Sequence, residues 1–343
     1  MPFIEEILKY DSLSIVGLEK NVGKTECLNY ILYRLPLHEK RVAVTSIGID
    51  GENKDQVTST KKPEIFLREG MYFSTAEAHY KERRLVSELV EITNERSSLG
   101  RILTAKVSVG GKALISGPSS GVSLRRWVAG MEKFGIDLTI IDGAISRLSS
   151  ASPAISKAMV LSTGAAFSSN INTLVQKTKF VVEMIGLEKL QDESRDALCD
   201  IESGVWGVDF DGNIIDFKIT SALAISSLKE DITKGMKIIF TVGALTDKLL
   251  NLISDSKNIK EVTLVVKDFT KIFVSEQAYR IFCARGGKIK VLQKSKLIAV
   301  CVNPTAPNGY VLDSDILCER LQDALGLPVY DIVKNKYDIK VCT

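Results

Sequence analysis

The run from Ser12 to Leu35 constrains this chain more than any other segment. Ser12–Val16 is a short apolar strand, Gly17-Leu-Glu-Lys-Asn-Val-Gly-Lys-Thr25 is a glycine-bounded turn, and Lys24–Leu35 places Cys27, Leu28, Ile31, Leu32 and Leu35 on one helical stripe that Pro36 closes. A strand that turns into a helix in this way aims the helix's first N–H groups and its positive end at one point. That geometry favours a polyphosphate. Gly23 removes the Cβ that would collide with phosphate, Lys24 supplies charge near the β and γ oxygens, and Thr25 offers a hydroxyl to Mg²⁺. The residues expected to hold ATP are therefore Gly17, Asn21, Val22, Gly23, Lys24, Thr25 and Glu26. Five residues separate Gly17 from Gly23, one more than in the usual phosphate-loop spacing, so Leu18 stands where a glycine is expected.

Two acidic positions complete the expected site. Asp142 ends the apolar run Leu138-Thr-Ile-Ile-Asp-Gly143, the form of a strand-end carboxylate that supports Mg²⁺. Asp50 follows the strand Arg41–Ile47 and places a second carboxylate at a strand end. The alternative for either is a turn cap, because Asp-Gly is a common turn pair. Thr25, Asp50 and Asp142 form the expected metal set, and Lys24 and Asp142 the expected catalytic pair. Asn303 follows Val300-Cys-Val302 and precedes Pro304, so its amide either reads a purine edge or initiates a turn.

The rest of the chain reads as alternating strands and helices. Thr75–Ile92 is expected to be mostly helical, Ile102–Val107 and Ala113–Ile115 to form a hairpin about Gly110-Gly111, Ser123–Phe134 and Ile171–Leu187 to be helices, and Ala158–Leu161 a strand. Val205–Phe217 reads as a hairpin about Asp211-Gly212, followed by strands at 237–241, 262–266, 288–292, 297–302 and 329–332, with a core-facing helix at 314–325. The pattern implies an α/β fold: a P-loop NTPase-like, mainly parallel sheet flanked by helices, with a C-terminal α/β half. The polar run Gln191–Asp200 is the linker candidate, giving a nucleotide-binding region at 1–190 and a region at 191–343 that either extends the same sheet or forms a second lobe.

Composition excludes several classes. With 45% apolar and 25% charged residues the chain is neither disordered nor low in complexity, and its net charge of +3 with short, interrupted basic clusters argues against a nucleic-acid partner. The acidic start Met1-Pro-Phe-Ile-Glu-Glu6 and the lack of a long apolar run argue against a leader or a membrane span, so a cytoplasmic protein is expected. Six dispersed cysteines with no Cys-x-x-Cys pair read as reduced thiols, Cys27 among them as a packed one. Trp127 and Trp206 read as packing residues, and His79 as a surface residue in a charged helix without an Asp-x-His-x-x-Gly pattern. No direct cobalamin site is expected.

The loop, with Gly17-x4-Val-Gly-Lys-Thr, resembles that of dethiobiotin synthetase. A wider resemblance rests on Gly17-Leu-Glu-Lys-Asn-Val-Gly-Lys-Thr-Glu-Cys-Leu-Asn29, Ser46-Ile-Gly-Ile-Asp-Gly-Glu52, Ile141-Asp-Gly-Ala144, Ser149-Ser-Ala-Ser-Pro153, Leu161-Ser-Thr-Gly-Ala-Ala166 and Asn303-Pro-Thr-Ala-Pro-Asn-Gly-Tyr310. These look like the KamB family, the P-loop subunit of the lysine 5,6-aminomutase reactivase. The resemblance implies ATP-dependent reactivation, by cofactor exchange, of the adenosylcobalamin-dependent lysine 5,6-aminomutase, together with KamC, a MutS-like ATPase. It also implies phosphate and Mg²⁺ binding by Gly23, Lys24 and Thr25, with Asp50 and Asp142 as acidic partners and weak or partner-stimulated ATPase activity. Ser146 stands where the family pattern has an aspartate before Arg147. The segments 49–60 and 146–156, polar or small in residue and placed after strands, are the expected nucleotide-responsive ones. The competing readings are a dethiobiotin-synthetase-like ATP-dependent ligase or kinase, for which Lys61, Lys62 and Glu64 would have to serve, and a nucleotide switch that acts only by binding a partner.

Overall fold

A computed structural model describes residues 2–48, 65–144, 151–219 and 231–334. The chain divides into two compact units, Met1–Lys179 with Ser295–Thr343, and Phe180–Lys294. This division differs from the boundary at 190/191 read from the sequence, because the chain returns to its first unit for the last strands. Within the expected linker, Arg195–Asp200 is a short helix.

In chain order the first elements are α1 (Pro2–Ile7), β1 (Ser12–Gly17), α2 (Lys24–Arg34), β2 (Val42–Ser46), β3 (Ile65–Leu67), β4 (Tyr72–Ala76), α3 (Glu77–Lys81), β5 (Arg84–Ser97), β6 (Gly100–Ala113), α4 (Gly121–Gly130), β7 (Leu138–Ala144), β8 (Ala158–Gly164) and α5 (Ile171–Gly186), a helix within which the division at 179/180 falls. The second unit continues with α6 (Arg195–Asp200), β9 (Val205–Asp209), β10 (Ile214–Ile219), β11 (Met236–Thr241), β12 (Leu245–Thr246), α7 (Asp247–Ser254), β13 (Thr263–Val266), β14 (Ile272–Phe273), α8 (Glu276–Ala284) and β15 (Lys288–Val291). The chain then closes the first unit with β16 (Lys296–Asn303), α9 (Ser314–Leu325) and β17 (Val329–Asp331).

The first unit is built on a ten-stranded mixed sheet in the order β17-β16-β8-β1-β7-β2-β4-β6-β3, with β5 paired to β6. From β17 to β4 every pairing is parallel, while β3, β4 and β5 run antiparallel to β6. β1 lies between β7 and β8, and all six of its residues are buried. Alternation along the strands supplies two apolar faces. Ile140 packs in the larger core with Leu13, Ile15, Val44, Val160 and the α2 residues Leu28 and Ile31, whereas the adjacent Ile141 packs with Leu124 of α4 and Ile155. Burying Leu28, Ile31 and Leu32 at roughly 1.5–3 kcal/mol each fixes α2 far more firmly than helix propensity could.

The second unit carries a five-stranded sheet, β10-β9-β11-β13-β15, with β11, β13 and β15 parallel and the hairpin β9–β10 antiparallel about Asp211-Gly212, as the turn chemistry predicts. Its core joins Leu249, Leu250 and Ile253 of α7 and Phe282 of α8 to Leu264 and Val266.

Three expectations fail in the first unit. Within Thr75–Ile92 only Glu77–Lys81 is helical, and Arg84–Ser97 is a strand. Gly110-Gly111 lies inside β6, and the chain turns instead at Ser98-Leu99. A Cβ on Gly111 would sit 2.1 Å from the Arg84 carbonyl oxygen, so the glycine permits close approach of β5 rather than a turn. His79 is buried, 5% exposed, with Nδ1 2.7 Å from Ser116 Oγ. By contrast Trp127 is a packing residue whose Nε1 donates to Thr104 Oγ1, and Ser314–Leu325 is helical with Leu317 and Leu321 buried. Among the described residues no helix is long and apolar enough to cross a membrane.

Candidate functional site

The glycine loop joins the carboxyl end of the buried strand β1 to the first turn of α2, which is where open parallel sheets present ligand crevices. Leu18 is buried and its N–H donates to Ser162 O on β8 at 2.9 Å, which explains how the loop tolerates a leucine there: the side chain is part of the core. Glu19, Lys20 and Asn21 are exposed, and Val22 is buried again. The loop then turns through two left-handed residues, Asn21 at φ 63° and Gly23 at φ 84°. Asparagine tolerates that conformation better than most side chains, and glycine is free in it. Gly23 caps α2, and the helix's first bond runs from Cys27 N to Gly23 O at 2.9 Å. The N–H groups of Lys24, Thr25 and Glu26 therefore point out of the helix end, with the positive end of the helix dipole behind them.

Lys24 folds back over this turn. Its Nζ lies 2.9 Å from Asp142 Oδ1, and the two side chains are 18% and 10% exposed. Asp142 belongs to β7, whose register pairs it with Ile15 on one side and Ser46 on the other, so the carboxylate stands beside β1 just below the loop. The contact is close but poorly directed: Asp142 Oδ1 is buried without an aligned hydrogen-bond donor among the described residues. Its charge is neutralised, while its lone pairs are left for a better-placed partner.

Asn303 comes from the far end of the chain. β16 pairs with β8 so that Asn303 stands opposite Gly164, and Ala165 N donates to Asn303 O at 3.0 Å. The side-chain Oδ1 accepts from Thr305 N at 3.1 Å, the expected turn, while Nδ2 donates to Asn21 O at 3.4 Å. A Cβ on Gly23 would lie 2.8 Å from Asn303 Cβ, so the two residues are in contact.

Beneath the loop, Cys27 and Cys301 are fully buried with sulfurs 3.5 Å apart. The hydrogen bond with Cys27, together with burial, pushes the Cys301 thiol well above its ordinary value. The pair is a packed contact, as expected for Cys27.

No family model, curated protein or solved structure matches this chain. The structure brings together Gly17, Asn21, Val22, Gly23, Lys24, Thr25, Glu26, Asp142 and Asn303. Asp50, Glu52, Lys61, Lys62, Glu64, Ser146 and Arg147 lie outside the described residues, as do segments 49–60 and 145–150. The residues present fit a magnesium-bound polyphosphate: a helix end, a loop position where a Cβ has no room, a lysine, a first-turn hydroxyl and a buried carboxylate oxygen without an aligned donor. Sequence reasoning missed the clamp of Asn303 on Asn21. The two residues lie 282 positions apart, so no local sequence signal could have found the contact.

Proposed function

We propose that this protein binds a nucleoside triphosphate with Mg²⁺ through a P-loop formed by Gly17–Thr25, and that it serves as the ATP-driven reactivating subunit for an adenosylcobalamin-dependent lysine 5,6-aminomutase, with a MutS-like ATPase as partner. The observation that carries the nucleotide reading is the Lys24–Asp142 pair, held at 2.9 Å beside the left-handed Gly23 at the start of α2. The KamB-like motifs support the cellular role.

Lys24 would leave Asp142 for the phosphates, Thr25 and Asp142 would hold Mg²⁺, and the α2 N–H groups would orient the phosphate chain. Mg²⁺ in such a site neutralises phosphate charge and polarises the terminal phosphoryl group. Magnesium keeps several waters and takes few protein ligands, so a hydroxyl and one carboxylate suffice alongside phosphate oxygens. An exchange factor also needs two conformations that differ in nucleotide affinity, because a ligand bound equally by both shifts nothing.

The test is recovery of turnover. An inactivated mutase mixed with this protein, the MutS-like partner, Mg-ATP and fresh adenosylcobalamin is expected to regain activity, and the Lys24→Ala protein is expected to give none. Stoichiometric ADP formation with a small metabolite in place of the mutase would favour a ligase or kinase instead. Nucleotide binding with no turnover under any condition would favour a switch.

A further inference from the structure

The sequence offers two roles for the Asn303 amide, base reader or turn former, and the geometry points to a third. We infer that Asn303 is a positioning residue of the glycine loop: it holds Asn21–Gly23 in the left-handed path that receives phosphate, and does not select the base. The inference rests on the phosphate-loop reading above and deepens it.

Three observations carry it. First, both ends of the amide already face protein: Oδ1 accepts from Thr305 N and Nδ2 donates to Asn21 O. The amide plane is thus set by the turn at one end and by the loop at the other, an orientation dictated by the protein's own contacts. Second, the contact falls on the costliest part of the loop. Asn21 is one of two non-glycine residues with positive φ among those described, and its carbonyl is the group held. A left-handed non-glycine residue costs of order 1–3 kcal/mol and persists only where its surroundings over-determine it. Asn303 supplies that constraint, with its Cβ filling the space over Gly23 where a side chain would otherwise fit. Third, the clamp has a rigid base. Val302 and Asn303 end a strand that pairs with β8 on one side, and Ala165 N fixes the Asn303 carbonyl. A side chain on a strand end is placed more sharply than one on a loop, which suits an orienting role.

The experiment compares Mg-ATP, Mg-GTP and magnesium tripolyphosphate, which has no base, by calorimetry on the wild-type protein, Asn303→Ser and Asn303→Ala. Serine retains a hydroxyl that can cap Thr305 N–H in the same short turn but is too short to reach Asn21, so it preserves the fold if alanine does not. The expected result is an equal loss for all three ligands, about tenfold, with the ATP-to-GTP ratio unchanged. In the ligand-free variants, the backbone amide NMR signals of Asn21, Val22 and Gly23 should shift or broaden while β8 and β16 keep their hydrogen-exchange protection, which general destabilisation would not produce. A loss for ATP with tripolyphosphate unaffected would make Asn303 a base reader and overturn the inference. Unchanged affinity for all three would overturn it too. Failure of the wild-type protein to bind any of the three would instead sink the phosphate-loop reading on which it stands.

Discussion

Lys24 and Asp142 neutralise each other in a nearly dry site, and any ligand that claims one must release the other. Breaking a buried pair by taking one partner alone leaves an uncompensated charge and is costly. Phosphate alone or Mg²⁺ alone should therefore bind weakly, and the two together strongly, since each compensates the residue the other displaces. Asp142→Asn removes the carboxylate and leaves Lys24 available for phosphate. Magnesium-free ATP should then bind this variant at least as tightly as wild type, while the gain on adding Mg²⁺, expected to exceed about tenfold in wild type, should shrink to about twofold or less. Calorimetry at matched ionic strength measures both. A full magnesium gain in the variant would remove Asp142 from the metal site.

At the scale of elements, the β5–β6 hairpin shows where sequence reasoning reaches its limit. Leu85, Leu89 and Ile92 are spaced as on one face of a helix, yet they lie on a strand. The resolution is a bulge: Leu89 pairs with Ala105 and Ile92 with Leu103, so two residues three apart share a face opposite two residues that are two apart. Long-range pairing thus overrides a local period, and the same pairing draws the Arg84 carbonyl so near Gly111 that no side chain fits. Gly111→Ala should destabilise the protein by about 1–3 kcal/mol, read as a lower urea midpoint. An unchanged midpoint would show that β5 can shift at little cost. The glycine loop, by contrast, was legible because all its signals are local: an apolar strand, two glycines and an amphipathic helix in consecutive residues. The Asn303–Asn21 clamp joins positions 282 residues apart and left no mark in the order of residues, nor did the burial of His79 against Ser116.

For the molecule as a whole, the parallel strands β1, β7, β8 and β16 bring Gly17, Asp142, Gly164 and Asn303 together toward their carboxyl ends in the first sheet, although the chain completes a second unit before β16 is made. That late return is why a single boundary in the sequence differs from the two-unit division. The second unit has its own electrostatic signature. Burial pushes the Asp192 carboxyl up, but Ser194 Oγ and N–H and Lys237 Nζ outweigh it and hold it below its ordinary 3.8. Burial is likewise outweighed at Asp231 by Thr233 and Ser256. A carboxyl depressed in the folded state contributes stability that is present above its unfolded value and lost as pH falls through the folded one. The second unit should therefore weaken below about pH 4. In a Trp127→Phe background, where Trp206 is the remaining tryptophan, the urea midpoint read from its fluorescence should fall less steeply as pH is lowered through about 4 once Asp192→Asn and Asp231→Asn are introduced. An unaltered acid limb would place the sensitivity elsewhere.

The most direct measurement is a calorimetric titration of Mg-ATP into the wild-type protein and into Lys24→Ala. One saturable site on the wild type and no detectable heat of binding on the variant is the expected result; equal affinity for both proteins, or none for either, would contradict a nucleotide held between Gly23, Lys24 and Asp142.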